Sequence, residues 1–339
     1  MMRAYQIPKP VGIDSLVLRE VPTPKPGRGQ VLVKMRAASL NYRDLMVLTG
    51  RYARGAPLPD LIPLSDGAGE VAEIGPDVTR VKPGDRVAGI FMQSWIGGDI
   101  EPEHAASSLG GAIHGVLAEY VLFDQQGLVH LPSHLSFEEG AALPCAGVTA
   151  WNALYGGRPL IAGQSALVLG TGGVSIFALQ FARAAGAQVI ATSSSDEKLA
   201  RAKQLGATAT VNYREHPEWQ KDVLALTDGR GVDHVIEVGG AGTLSRSIEA
   251  ARTGGQIHQI GVLTGGGGQI DPSVPMRKGL ILRGIYVGSR QMFDAMNRAI
   301  AVNTLHPVID RVFAFEQAAD AYRHMKSQAH LGKIVIRIE

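Results

Sequence analysis

Six residues that follow a short apolar run carry the strongest chemical signal in the chain: Gly170-Thr171-Gly172-Gly173-Val174-Ser175. The run at 166–169 reads as a strand, and the residues after the turn take helical spacing, with Val174, Phe177, Ala178 and Phe181 on one face. Strand, tight glycine turn and helix, in that order, outline a dinucleotide site. Gly170 lets the chain leave the strand sharply, and Gly172 and Gly173 let the backbone approach a ligand. The helix N-terminus, where Val174 falls, offers unpaired N–H groups and the positive end of a dipole to a pyrophosphate. Ser175 stands where G-x-G-x-x-G has its third glycine, so the turn alone is equally compatible with a structural role.

A second signal is a missing charge. Sites that prefer NAD place an acid at the end of the second strand, about 20 residues past the glycines, to bind the ribose 2′-hydroxyl. Here that strand ends Val189-Ile190-Ala191-Thr192-Ser193-Ser194-Ser195, with no carboxylate. The hydroxyls of Ser193 and Ser194, Lys198 one turn into the next helix, and Tyr213 after the third strand supply donors and positive charge, which suits a 2′-phosphate. The expected cofactor is NADP(H), preferred over NAD(H). A competing reading makes Ser194 and Glu197 a helix capping box, Lys198 a solvated residue and Tyr213 strand-end packing. Asp196 would oppose the NADP reading if it turned toward the ribose.

The elements that must position these groups alternate. Runs at 166–169, 188–192, 209–212, 234–238, 256–261 and 281–287 read as six strands, most of them separated by segments of helical spacing. The alternation predicts an α/β, Rossmann doubly wound domain over 147–288, with a six-stranded parallel sheet and a ligand at the carboxyl ends of its strands. That context turns the glycine motif into a cofactor site. Residues 1–146 read as short strands between Gly, Pro and Asp turns, with one helix near 41–48 and a long loop over 93–115. Beyond Gly288 the pattern gives helices near 290–301 and 315–326 and a closing strand over 333–338. Residues 1–146 and 289–339 then form one β-rich domain, into which the nucleotide domain is inserted.

Composition bounds the partners. The 339 residues have room for two domains. A net charge of +2 without a basic block argues against nucleic acid and anionic membrane. Cys145 is the only cysteine, which excludes an intrachain disulfide and points to a reducing compartment. The opening MMRAYQIPKP lacks the apolar core of a signal peptide, and no apolar run reaches spanning length. A soluble, cytoplasmic protein acting on a small molecule is expected.

Taken jointly, LNYRD at 40–44, GRY at 50–52, SDGAGEV at 65–71, KPGDRV at 82–87, LPCAGVTAW at 143–151, the turn at 170–175 and LGKIVI at 331–336 resemble the medium-chain dehydrogenase/reductase superfamily over essentially the whole chain. The resemblance implies a GroES-like catalytic domain beside the Rossmann domain, an active-site cleft between them, and a homodimer. Zinc alcohol dehydrogenases of this superfamily bind catalytic zinc through Cys, then His-Glu, then Cys or Asp. The matching positions are Asn41, Ser65-Asp66 and Cys145, and only the last keeps its ligand. Zinc takes about four N or S ligands, or three and an open position, so no metal is expected. The structural zinc lobe of those enzymes has four cysteines, and residues 93–115 have none; Glu101, Glu103, His104 and His114 there read as surface residues.

The remainder is similar to the zinc-independent branch of quinone oxidoreductases and 2-enoyl reductases. In that branch the Asn of an N-x-x-D segment contacts the nicotinamide end of the cofactor, and a Tyr after the same helix can donate a proton; Asn41, Asp44 and Tyr52 fit this spacing. Hydride transfer needs a cofactor at close range and a group that supplies a proton or polarises an oxygen. Tyr52 is the expected donor, with Tyr42 and Asp66 as rivals. Between Arg51 and Arg54, Tyr52 also reads as an aromatic plug, and Asn41 as a helix N-cap. Thr149 matches a family position beside the nicotinamide. The backbones of Gly239, Gly261, Val262 and Leu263, after the fourth and fifth strands, and of Val287 and Gly288, at the end of the sixth, are expected around the cofactor. Cys145 reads as a small buried residue rather than a nucleophile.

The leading expectation is a metal-free, NADPH-dependent oxidoreductase that transfers hydride to a conjugated carbonyl or quinone. An alcohol dehydrogenase or carbonyl reductase keeps the fold, but acting directly on a C–O bond gains strongly from a Lewis acid. A non-catalytic NADPH-binding or structural protein is the alternative of another class. Phe91, Trp95, Ile113 and Met292 read equally as lining of an apolar substrate pocket and as core.

Overall fold

The computed structural model describes residues 1–52 and 58–339. The strands are β1 Met2–Gln6, β2 Val17–Val21, β3 Gln30–Ser39, β4 Asp66–Ile74, β5 Arg86–Gly89, β6 Tyr120–Asp124, β7 Leu128–His130, β8 Ser165–Leu169, β9 Gln188–Ser193, β10 Ala209–Asn212, β11 Val232–Glu237, β12 Ala251–Gln259, β13 Ile281–Gly284, β14 Ile309–Ala314 and β15 Lys333–Arg337. Contacts divide the chain into two units, Met1–Val148 with Gly288–Glu339, and Thr149–Val287.

In the unit Thr149–Val287 the sheet runs β10-β9-β8-β11-β12-β13, with every neighbouring pair parallel. Strands covered on both faces need apolar side chains throughout, and β8 and β11 are buried along their whole length. The helix Gly173–Ala184 buries Ile176, Phe177, Leu179 and Phe181, each contributing about 1.5–3 kcal/mol by leaving water. Strand order reverses beside β8, the point at which such sheets take ligands. Two ends differ from the sequence pattern. β12 stops at Gln259, and β13 stops at Gly284 rather than at 287. Val287 has φ +57°, which is incompatible with a strand for a β-branched residue.

In the other unit β3 is the central strand of a sheet ordered β14-β15-β3-β4-β5-β7, and β6 also pairs with β3. The first half of β3 pairs with β6, Gln30 opposite Asp124, and its end pairs with β15, Ser39 opposite Val335. On its other edge Ser39 faces Asp66 of β4. This register brings Lys333, residues 40–41 and Asp66 to one end of the sheet. β4 begins at Asp66, ahead of the apolar run that marks it in sequence, because glycines hold the pairing there: a Cβ on Gly69 would lie 2.2 Å from the Lys34 carbonyl oxygen. Phe91 and Trp95 are core residues, at 1 % and 3 % exposure. Helix Tyr42–Leu48 follows β3 directly, and the loop over 93–115 contains the short helix Pro102–Ala105. Among the described residues no helix is long and apolar enough to cross a membrane.

Candidate active site

The glycine turn leaves β8 through Gly170, at φ +71°, whose N–H donates to Thr192 Oγ1 at 3.3 Å. Gly172 caps the helix Gly173–Ala184, with Val174 in its first turn. A Cβ on Gly170 or Gly172 would meet nothing within 4 Å, so this side of the turn is open to a ligand. The buried Ser175 fastens the turn from behind, its Oγ donating to the Leu169 carbonyl at 2.7 Å. An open turn at the start of a twelve-residue helix fits a pyrophosphate.

At the end of β9 the cap of the next helix is Ser195, not Ser194. The helix is Asp196–Gln204, and Ser195 Oγ accepts from the Lys198 N–H at 3.4 Å. The capping reading of Ser194 with Glu197 is thereby corrected. Ser193 is buried, and its Oγ accepts from the Ser195 N–H at 3.3 Å. Strand pairing sets Asn212 beside Ser193, and the exposed Tyr213 donates its N–H to the Ser193 carbonyl at 3.0 Å. Ser193, Ser194, Lys198 and Tyr213 thus lie on segments gathered at one corner of the sheet. Asp196 Oδ1 accepts from Asn212 Nδ2 at 2.8 Å.

A buried carboxylate organises the loop after β11. Glu237 Oε1 accepts from the N–H groups of Gly239 and Gly240, at 2.7 and 3.0 Å, and from Thr243 Oγ1 at 2.7 Å, while Ser247 Oγ donates to Oε2. The Gly239 carbonyl accepts from Thr264, so both polar backbone groups of Gly239 are taken within the protein. A Cβ at this position would lie 2.2 Å from Thr243 Oγ1, so the glycine is required by the packing of the loop itself. Gly261 packs on Val238, where a Cβ would lie 2.4 Å from the carbonyl oxygen. Val262 and Leu263 beside it are exposed. Thr149 is buried at the start of helix Val148–Tyr155. From the same helix Asn152 Nδ2 donates to the Val287 carbonyl at 2.7 Å, and this bond holds the left-handed turn. Gly288 packs against Val148 within the other unit.

The end of β3 carries the second cluster. Asn41 caps helix Tyr42–Leu48, and its N–H donates to Asp44 Oδ2 at 2.7 Å. Its side chain does something else. Asn41 Oδ1 accepts from Lys333 Nζ at 2.6 Å, and the same ammonium donates to the Leu40 carbonyl at 2.7 Å and lies 3.6 Å from Asp66 Oδ2. Asp66 is fully buried; Oδ1 accepts from Ser65 Oγ at 2.6 Å and Oδ2 from the Cys145 N–H at 3.0 Å. Burial raises the Asp44 carboxyl to about 6 against the pull of Arg43. Arg43 itself donates to the carbonyls of Leu109 and Gly110 and lies between the rings of Tyr52, 4.5 Å away, and Phe91, 4.6 Å away. Tyr52 is half-buried beside an apolar recess lined by Ile7, Val47, Leu58 and Leu61. Arg54, read with Arg51 as a sign of a solvent-facing loop, lies outside the described residues. The rival donor Tyr42 is exposed.

Sequence reasoning missed Lys333 and Glu237. Each sits in a run with no exposed face, Lys333 before Ile334-Val335-Ile336 and Glu237 after Val235-Ile236. A charge in such a run must be paired, and that was the available signal.

The donor set does not fit zinc. Asn41 offers an amide oxygen already bonded to an ammonium, Asp66 is committed to Ser65, Cys145 and Lys333, and burial, with Asp66 adding to it, pushes the Cys145 thiol up to about 12. Each of these candidate ligands is thus already engaged or held protonated in the protein itself, and a fixed cation repels a second one. In the loop, His104 Nδ1 accepts from the Glu101 N–H and His114 Nδ1 from the Ile62 N–H, at 2.9 and 3.1 Å.

Two family models match the chain: an alcohol dehydrogenase GroES-like domain over residues 27–133 and a zinc-binding dehydrogenase domain over 173–301. A zinc-type alcohol dehydrogenase-like protein of Schizosaccharomyces pombe is 47 % identical over 337 residues, 97 % of this chain and 96 % of that one. A quinone oxidoreductase of Pseudomonas aeruginosa is 31 % identical over 336 residues, 96 % of each chain. The crystal structure of a putative alcohol dehydrogenase from Sinorhizobium meliloti superposes with a TM-score of 0.93 at 40 % identity, covering 99 % of this chain and 98 % of that one. Solved structures described as an NAD-dependent alcohol dehydrogenase and as a mycobacterial protein complexed with NADPH share the fold over 100 % of each chain, at 34 % and 25 % identity and TM-scores of 0.91 and 0.83. With a GroES-like sheet unit, a six-stranded parallel nucleotide unit and relatives of this identity along its length, the chain belongs to the medium-chain dehydrogenase/reductase superfamily of nicotinamide-dependent oxidoreductases.

Proposed function

We propose that the protein is a metal-free, NADPH-dependent reductase that delivers hydride to a conjugated carbonyl or quinone, working as a cytoplasmic homodimer without nucleic-acid or membrane partners. The observation that carries this reading is Lys333, whose ammonium is bonded to the residue at one metal-ligand position and paired with the acid at another. A C–O bond gains most from a Lewis acid, and a C=C bond conjugated to a carbonyl needs only a hydride and a proton. When bound, the nicotinamide supplies the hydride. NADPH is favoured by the absence of an acid at the end of β9 and by the engagement of Asp196 with Asn212.

In this reading Asn41 orients the reacting pair. An ammonium can only donate, so Lys333 fixes Asn41 Oδ1 inward, and Nδ2, buried with no partner among the described residues, becomes the donor for a ligand oxygen. Tyr52 delivers the proton, its ring held by Arg43. Asp66 serves as the anchor for Lys333 rather than as an acid. Thr149, Gly172, Gly173 and Val174, with the loops at Gly261–Leu263 and Val287–Gly288, line the cofactor. The relatives described as alcohol dehydrogenases favour a second reading, reduction of a simple aldehyde or ketone. Oxidation of NADPH and NADH by chelator-treated protein against a 2-enal, a 1,4-quinone, an aldehyde and a ketone separates the two. We expect turnover of the enal or quinone with NADPH, unchanged by chelation, and a loss of about 10²–10⁴-fold in Tyr52→Phe, the range of one general acid. Activity confined to aldehyde or ketone and abolished by chelation would refute the proposal.

A further inference from the structure

The preference for a 2′-phosphate meets an obstacle that the structure also resolves. Asp196 is the first residue of the helix after β9, three positions past Ser193, and a carboxylate swung to the ribose from there would repel a phosphate and accept from a 2′-hydroxyl. It is not swung there. Its Oδ1 is bonded to Asn212 Nδ2 at 2.8 Å, on the β10 side of the corner. The Asn212 amide is fixed at its other end, because Oδ1 accepts from the Arg214 N–H at 3.1 Å. Flipping the amide would set its NH₂ against an N–H and its oxygen against a carboxylate, so the side chain has one orientation. Pairing of β10 with β9 puts Asn212 opposite Ser193, so the bond spans the carboxyl ends of the two strands that frame the ribose corner.

The hydroxyls left on the β9 side are biased as well. Ser193 Oγ accepts from the Ser195 N–H, and Ser195 Oγ accepts from the Lys198 N–H. Each has a lone pair occupied by backbone and its own O–H left to donate. Donors without a competing carboxylate suit an acceptor-only phosphate.

We propose that Asn212 is the specificity-determining residue for NADPH: it latches Asp196 away from the ribose, and without the latch the acid would turn the corner into a site for the 2′-hydroxyl. This rests on the NADPH reading above and adds the residue that enforces it.

Binding of 2′,5′-ADP and of 5′-AMP, measured by calorimetry, tests the latch without any turnover. The wild type is expected to prefer 2′,5′-ADP. Asn212→Ala should lower that preference roughly five- to tenfold, the scale of one exposed charge brought near a phosphate, and Asn212→Ala with Asp196→Ala should restore it. Asp196 is exposed and Asn212 partly so, and melting temperatures should change little. An Asn212→Ala variant with unchanged preference overturns the latch alone, as does an equal loss when Asp196 is already alanine. A wild type that binds 5′-AMP as tightly as 2′,5′-ADP overturns the cofactor reading itself.

Discussion

Lys333 has 2 % of its surface exposed, and each of its neighbours makes use of its charge. The Asn41 amide takes its orientation from the ammonium, the Leu40 carbonyl at the end of β3 is satisfied by it, and the buried Asp66 has its counter-ion in it. Lys333→Met keeps most of the stem and removes the charge, leaving Asp66 buried beside an apolar group. Breaking a buried pair from one side costs about 3–5 kcal/mol, so we expect a loss of that order in urea unfolding, with the folded fraction also slowed in hydride transfer. A variant as stable as the parent would mean that Asp66 is held by Ser65 and the Cys145 N–H alone.

Among the elements, β11 and β12 contain a pair that chemistry at the glycine turn does not use. His234 and His258 stack on one face of the sheet, with Nδ1 of the first 3.0 Å from Nε2 of the second, and His234 Nε2 lies 3.3 Å from Gln164 Oε1. The amide oxygen only accepts, so His234 donates to it from Nε2; with both rings neutral, Nδ1 receives from His258 Nε2. Burial depresses them, to about 4 and about 3 from an ordinary 6.5. The unfolded chain then takes up protons that the folded one refuses, so the pair's contribution is complete above about pH 6.5 and falls as pH drops toward 4. Unfolding free energies from urea titrations at pH 7 and 5 should differ by about 2–4 kcal/mol more in the parent than in His234→Leu with His258→Leu; an equal difference would show that the folded protein takes up protons on both rings as readily as the unfolded chain. Such pairs also explain what was legible in sequence. The six strands and the glycine turn were, because apolar runs and glycines act locally. The end of β13 was not, because Val287 takes a left-handed φ under a hydrogen bond from Asn152, 135 positions away. Likewise Asn41, Asp66 and Cys145 could be aligned with metal positions, but the lysine that joins two of them arrives from the last strand of the chain.

At the scale of the whole molecule, the proposed homodimer has a candidate surface in β13, the outermost strand of its sheet. Edge strands offer unpaired N–H and C=O groups to a second chain, and here Ile281 and Leu282 are 41 % and 51 % exposed beside Met276 at 73 %. Pairing of two such edges about a twofold axis would satisfy those backbone groups in both copies. Light scattering should report a dimer for the wild type and a monomer for Leu282→Lys; a variant that stays dimeric places the interface elsewhere. The lysine that β15 brings to the end of β3 also decides what a new side chain there would meet. A cysteine placed at position 41 would set its thiol against the Lys333 ammonium, which lies 2.6 Å from the Asn41 Oδ1 that would be replaced, so the new thiol would meet a fixed cation before any other partner.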